Sequence, residues 1–497
     1  MTSKDAPDEP LSAVPRFRAV QAGLAAWPFT TVFSIALIAA FSPSKALGAA
    51  SGGLVVLAAL IVFPAHRRRN FQRLLALGGM FLALAVLHRV LDQTTHAVGI
   101  LLHLITHAHF ALAVIVPDKP PSRPDLSRIT RLASSMLLIQ APLGMLQAVV
   151  ARQRSGTFDI DNGDNVNGTT DVLVAFGENA PRGSNVMFGI ALVSLIIIVL
   201  GFGETRTQRA VAVMSLVTFV YASVVHLNLF LLLASMGVLA IAGIISVASM
   251  ARSHPSFFMS AATAPTILAS AFIFAAVVLP SNYGNFRDYV LPEIANVTGR
   301  TTPAPQPPVA PQPPVAERFE NHKIAIALIT LHNLRASHPY QPLIGVGAGQ
   351  FNSRAGLIAS GTYLSDLPVP EAVRGVSAAS SVHFMPLWTG GRPPRVGSAW
   401  FPFFSVQSLY AELGILGLAG VGIVVLALAR RCVQDLPRSP RLASAVGVLL
   451  LFLLGIGMYE NYWEWTQGVI LGSVFLWLWH HSARATHASS IPPKNAA

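Results

Sequence analysis

Apolar residues fill the chain in long stretches that short polar connections interrupt. About 20 consecutive apolar residues cross the roughly 30 Å hydrocarbon core of a bilayer as one helix. The pattern predicts about twelve such helices, centred near Ile35, Val56, Leu82, Leu104, Leu138, Ser194, Leu216, Leu233, Ile267, Gly417, Leu450 and Leu471. Lys and Arg in short connections favour the cytoplasmic side. "HRRRNFQR" (66–73), "DKPPSRPDLSRITR" (118–131), "ETRTQR" (204–209), "ARSH" (251–254) and "RRCVQDLPRSPR" (430–441) fall on one side of the predicted bundle. The intervening "SPSK", "DQTTH", "VHLN" and "ENYWEWTQ" are nearly free of basic residues. This alternation predicts an all-α polytopic membrane protein with both termini in the cytoplasm.

Two predicted outward connections are long. One covers residues 151–185, and the other covers 281–404, between the ninth and tenth predicted helices. Membrane helices are expected over 24–280 and 405–480, with cytoplasmic tails at 1–23 and 481–497. Within the larger loop, "PAPQPPVAPQPPVA" (303–316) repeats a Pro-rich unit and reads as an extended spacer. Residues 317–337 read as an amphipathic helix with Ile324, Leu328, Leu331 and Leu334 on its apolar stripe and Arg318, Lys323 and Arg335 off it. Pro339 and Pro342 end that helix, and "GVGAG" follows.

Composition supports the membrane reading. The 497 residues are 53% hydrophobic and 11% charged, whereas soluble domains carry about 25% charged residues. The single cysteine, Cys432, excludes an internal disulfide framework and a thiolate cluster for a metal. Residues 1–23 read as a polar, Pro-containing tail rather than a signal peptide, so insertion is expected to rely on the first spanning helix. The formal charge is +12, and its clustering in "HRRRNFQR" reads as anchoring to anionic headgroups.

Gly345, Gly347 and Gly349 raise the question of an anion cradle. The turn lacks the Lys-Ser/Thr of a P-loop, and a tight turn permitting positive φ is the plainer reading. Arginines are more telling. The loop holds Arg287, Arg300, Arg318, Arg335, Arg354, Arg374, Arg392 and Arg395 but only Lys323 as a lysine. The planar guanidinium suits phosphate or carboxylate oxygens and stays charged when partly buried.

An early arginine, then "PLIGVGAGQF" (342–351), then "LYAELGILGLAG" (409–420) resembles the O-antigen ligase/polymerase superfamily. "NGT" (167–169) in the first outer loop looks like the family's pattern there. In motif terms the resemblance covers roughly 318–425. It implies metal-independent glycosyl transfer from undecaprenyl diphosphate-linked oligosaccharides at the outer face of the bacterial inner membrane, with no cofactor. Partners implied are the lipid-linked oligosaccharide, the bilayer, and flippase and chain-length regulator proteins, with no nucleic acid. Carried over residue by residue, Arg318 takes the place of a diphosphate-neutralising arginine. Gly345, Gly347, Phe351, Glu412 and Gly414 match motif positions.

Two positions depart from the family pattern. The ligase branch carries a histidine where this chain has Phe403, and His383 is the nearest one upstream. An arginine expected near the outer end of the seventh or eighth helix is missing, which leaves Arg354, Arg287 and Arg89 to supply a second cation. The expected catalytic set is Arg318, His383 and Glu412. The expected substrate-binding set is Arg335, Arg354, Arg287, Arg89, Gly345 and Gly347. The first departure favours a polymerase of polysaccharide repeats over a ligase; a secondary transporter is the alternative of another class.

Three other stretches bear on function. "DIDNGDNVNGTTD" (159–171) has Asp164 and Thr170 where an EF-hand loop needs Gly and Glu, so its acids, Asp164 and Asp171 among them, read as candidates for sugar hydroxyls. His96, His103 and His107 share one helical face, and helix–helix hydrogen bonds are the commoner use of such groups than a metal or haem. "YENYWEWTQ" (459–467) reads as an interfacial aromatic belt, with Glu460 and Glu464 as remote candidates for a base.

Overall fold

The computed structural model describes residues 27–41, 45–155, 184–225, 323–362, 370–386, 404–436, 439–459 and 461–489. Among them all regular structure is helical: α1 (Pro28–Ala40), α2 (Lys45–Val62), α3 (Arg67–Leu91), α4 (Ala97–Thr106) continued by a 3₁₀ segment (Ala108–Val114), α5 (Arg123–Ser155), α6 (Ser184–Phe202) and α7 (Arg206–Val225). They continue with α8 (Lys323–Ser337), the single turn α9 (Gln341–Ile344), α10 (Arg354–Ala359), α11 (Ala378–His383), α12 (Ser405–Asp435), α13 (Pro440–Tyr459) and α14 (Thr466–Ser489). Every predicted span centre except Leu233 and Ile267 falls inside one of these helices, and those two lie outside the described residues.

Helices α1, α2, α5, α6, α13 and α14 enclose the main core. Phe29, Phe63 and Trp477 meet there with ring centroids 5.1 to 5.7 Å apart, and the Trp477 indole N–H donates to Ile115 O at 3.0 Å. Asp125 on α5 accepts from the Thr30 hydroxyl at 2.8 Å and so fixes the start of α1. Helices α3 and α12 are different. Each is long and apolar enough to cross a membrane, and α4 with its 3₁₀ continuation, bent by 55°, makes a third if the pair is one span. Leu75, Met80, Leu82 and Val90 of α3 and Ile423, Leu426 and Val433 of α12 are exposed. An apolar surface of that extent is stable against hydrocarbon or another protein, not water.

Four of the connections can be compared by their contacts. The basic connections around His66 and Asp118 touch: Asp118 accepts from the backbone N–H of Ala65 at 2.9 Å and of His66 at 2.8 Å. The nearly uncharged "DQTTH" and "ENYWEWTQ" instead both meet the segment that follows α8, at Gln350, Ala378 and Arg354, through His96, Thr94 and Glu464.

Helix α8 begins at Lys323 in the described residues and ends at Ser337, before Pro339, because the residue preceding a proline is pushed out of the helical region. Its buried face is shifted from the predicted stripe but keeps Leu334, and Leu331 packs against the same core. Ala327, Thr330 and Leu334 are buried, whereas Leu328 is 63% exposed. Ala327, Thr330 and Leu334 recur at three and four residues, so they share a face, and Leu328 lies about 100° round the helix from Ala327. Leu334 then joins Val346, Phe351, Leu357, Ala379, Phe384 and Ala411 in a second, smaller core. The spacer 303–316, the first-loop acids and Arg287, Arg300 and Arg318 lie outside the described residues.

Candidate functional site

The site is built on a break in α12. Gly414 leaves the helical region at φ 62 and ψ −158, so the carbonyls just before it lose their partners in the next turn. Segment 341–347 supplies them. The Gln341 amide donates to Tyr410 O, Val346 N to Ala411 O and Gly347 N to Glu412 O, each at 2.9 Å. Two backbones therefore run in direct contact, which only glycine permits. A Cβ on Gly345 would stand 2.1 Å from the Glu412 carbonyl, and one on Gly414 2.5 Å from the Leu343 carbonyl.

The remaining amides of the turn converge on one side chain. Glu412 has no solvent exposure. It accepts from Gly349 N at 2.5 Å, Phe351 N at 3.0 Å and Ser353 N at 3.1 Å. Successive N–H groups in a tight turn make an anion-binding concavity, and its anion here is a carboxylate of the same chain. His103 Nδ1 on α4 approaches Glu412 Oε2 at 3.0 Å, a close polar contact without hydrogen-bond alignment. The His103 ring stacks on His107 at 4.1 Å, where α4 bends into the 3₁₀ segment. The turn is also pinned to the start of α4: Gln350 exchanges two hydrogen bonds with the His96 backbone, both at 3.0 Å. His88 Nε2 on α3 lies 2.9 Å from Ile344 O. The face shared by His96, His103 and His107 thus meets the glycine turn and Glu412. Among the described residues no group of His, Cys, Asp and Glu is arranged to hold a metal ion.

A second buried carboxylate stands beside the first. Glu464, 2% exposed, accepts from the Arg354 backbone N–H. Burial pushes its carboxyl well above the usual range and the nearby Glu412 pushes it further, while the Arg354 N–H, the Arg354 charge and Asn461 pull the other way. The Arg354 guanidinium lies over the Trp465 ring, 3.2 Å from its centroid, in the geometry of a cation–π contact. Glu412 and Glu464 thus hold the stretch 349–354 from two elements.

No protein-family model and no curated protein matches the chain.

The other expected site residues that are described are differently engaged. His383, half-buried at the end of α11, has its Nε2 2.7 Å from Ser337 Oγ; burial, and then the neighbouring His338, lower its pKa from the ordinary value. Arg89 is exposed and donates to the carbonyls of Gln93 and Thr95, closing the end of α3. Arg335 is exposed on α8, and Arg354 is buried. Arg318, Arg287, Asp164 and Asp171 are outside the described residues. Ser337, His338 and Asp92 were not singled out from the sequence, and Glu464 was only a remote candidate for a base. Glu464 had one signal, an acid inside an aromatic run, which the interfacial-belt reading absorbed.

Proposed function

We propose that the chain polymerises undecaprenyl diphosphate-linked oligosaccharide repeats at the outer face of the bacterial inner membrane, as a twelve-helix glycosyltransferase with both termini cytoplasmic. One observation supports this above the others. The two stretches that carry the resemblance, "PLIGVGAGQF" and "LYAELGILGLAG", are one structural unit, closed by Glu412 where the large loop meets a membrane helix.

In this reading an acceptor hydroxyl gives its proton to His383 and attacks the anomeric carbon of the donor sugar. The carbon–oxygen bond to the diphosphate breaks, and the electron pair leaves with it. Arg318 neutralises the charge that develops there. Of the other described candidates, Arg354 is buried on Trp465 and Arg89 bonds carbonyls, so Arg335 is the better second cation. Glu412 and the glycines act as positioning groups, since the carboxylate is out of reach of any sugar. Flippase and chain-length regulator proteins would be its functional neighbours.

Deleting the gene and sizing the surface polysaccharide tests this. Long chains should vanish while single repeats remain at the surface; a ligase would instead leave long chains unattached. Arg318→Ala should cost about a hundredfold in rate, on the order of 3 kcal/mol in barrier, at unchanged protein level. Arg318→Lys should recover only part, because an ammonium lacks the bidentate fork, and Arg374→Ala should be tolerated. Wild-type amounts of long chain from Arg318→Ala would refute the assignment.

Topology is checked separately, in a Cys432→Ser background. Cysteines at Ser155 and Ser381 should react with an impermeant thiol reagent in intact cells, and one at Ser439 should not. Ser381 serves because it is exposed, whereas Ser377 is buried. Labelling at Ser439 alone would invert the orientation.

A secondary transporter is the second reading, favoured by one feature. Two interrupted helices, α4 and α12, meet at their breaks through His103 and Glu412, an arrangement transporters use for substrate sites. Unaltered polysaccharide in the deletion strain would favour it.

A further inference from the structure

A cluster beside the glycine turn joins three elements: Asp92 between α3 and α4, Ser337 and His338 at the end of α8, and His383 on α11. Asp92 Oδ1 is taken by the Thr94 N–H at 2.8 Å and the Thr94 hydroxyl at 2.6 Å. Its Oδ2 is buried with no hydrogen-bond partner and faces His338 Nε2 at 3.9 Å. At the other edge of that ring, His338 Nδ1 lies 3.0 Å from Ser337 Oγ. The same hydroxyl oxygen lies 2.7 Å from His383 Nε2. The same ends of α8 and α3 also carry Arg335 and His332, exposed on α8, and Arg89, bound to carbonyls. The Tyr340 ring stands edge-on to His338 at 5.8 Å.

The donors and acceptors fix an order. Asp92 Oδ2, too distant for a hydrogen bond, sets its negative charge nearest Nε2 and so favours the His338 proton there, which leaves Nδ1 bare. The Ser337 hydroxyl then donates to Nδ1. Its oxygen can only accept from His383, whose proton therefore sits on Nε2. The carbonyls of Asn333 and Leu334, each 3.1 Å from Ser337 Oγ, compete for the hydroxyl proton. Choosing them would leave His338 Nδ1 and the serine oxygen facing each other as two acceptors.

We infer that Asp92, His338 and Ser337 are positioning residues that hold His383 with Nδ1 as its bare, basic nitrogen, directed at the proton of an acceptor hydroxyl. The inference rests on the reading of His383 as the base. When His383 Nδ1 takes that proton, the hydroxyl oxygen bonds the anomeric carbon and the diphosphate leaves with the bonding pair. The new imidazolium keeps its Nε2–H on Ser337, and the chain of hydrogen bonds ends on His338, whose far edge faces Asp92. Such partners orient a ring and fix its tautomer, as the carboxylate of a Ser-His-Asp triad does.

Two measurements on the full-length protein in lipid bilayers test it. The first compares Ser337→Thr with Ser337→Val, side chains of one shape that differ by the hydroxyl. The valine variant should lose about tenfold in kcat for chain extension, the low end for groups that orient a catalytic ligand, with KM unchanged. The threonine variant should keep most of the activity; equal losses in the two would overturn the role of the hydroxyl. The second is the ¹⁵N spectrum of histidine-labelled wild-type protein, with His383 assigned by its disappearance in His383→Gln. A proton on Nε2 is expected. A proton on Nδ1 would overturn the relay whether or not the chain proves to be a polymerase.

Discussion

Glu412→Ala is expected to unfold the glycine turn of the site. The substitution leaves the Gly349, Phe351 and Ser353 amides buried without an acceptor and removes the carboxylate beside His103. An unsatisfied buried donor costs about 1–3 kcal/mol, so the loss should be on the order of 5 kcal/mol, comparable to breaking a buried ion pair. Glu412→Gln should cost less, because one oxygen still accepts, but its NH₂ would face an amide donor. Thermal unfolding of the detergent-purified protein, with the yield of monodisperse material, measures both. An alanine variant melting with the wild type would show that something else holds the turn.

Gly345→Ala should be nearly as severe, for a different reason. At φ 78 an L-residue pays about 1–2 kcal/mol of local strain. Its Cβ would lie 2.1 Å from the Glu412 backbone carbon and oxygen, atoms that cannot rotate aside, and overpacking of that kind adds about 1–3 kcal/mol. Gly420→Ala is the control. It lies within α12 with nothing within 4 Å of the added methyl, and alanine in place of a helical glycine should be neutral or stabilising by up to about 1 kcal/mol. If Gly345→Ala and Gly420→Ala melted alike, the close backbone crossing at Glu412 would be wrong.

Much of the site's geometry depends on where these two variants act. The sequence shows glycines at 345, 347 and 349 and an acid at 412, and each has an ordinary reading alone. Gly349 N and the Glu412 carboxylate are 63 residues apart, so no local periodicity relates them. The same holds for His103, whose face on α4 was legible but whose partner was not, and for Glu464. Its neighbours Trp463 and Trp465 match an interfacial belt by composition, yet its carboxylate is buried on the Arg354 amide.

What the sequence by itself determined is the placement of the described apolar helices and the end of α8. Hydrophobic runs demand helical backbone wherever they leave water, and proline forbids the helical region to the residue before it, as at the end of α8. Both constraints act over a few residues and need no partner. The tertiary structure decided which face of α8 is buried, where Thr330 is covered and Leu328 exposed, because a helix's inner face is whichever its neighbours cover. It also decided what the glycine turn holds. An array of backbone N–H groups will take any anion that reaches it, and the break at Gly414 brings Glu412 there.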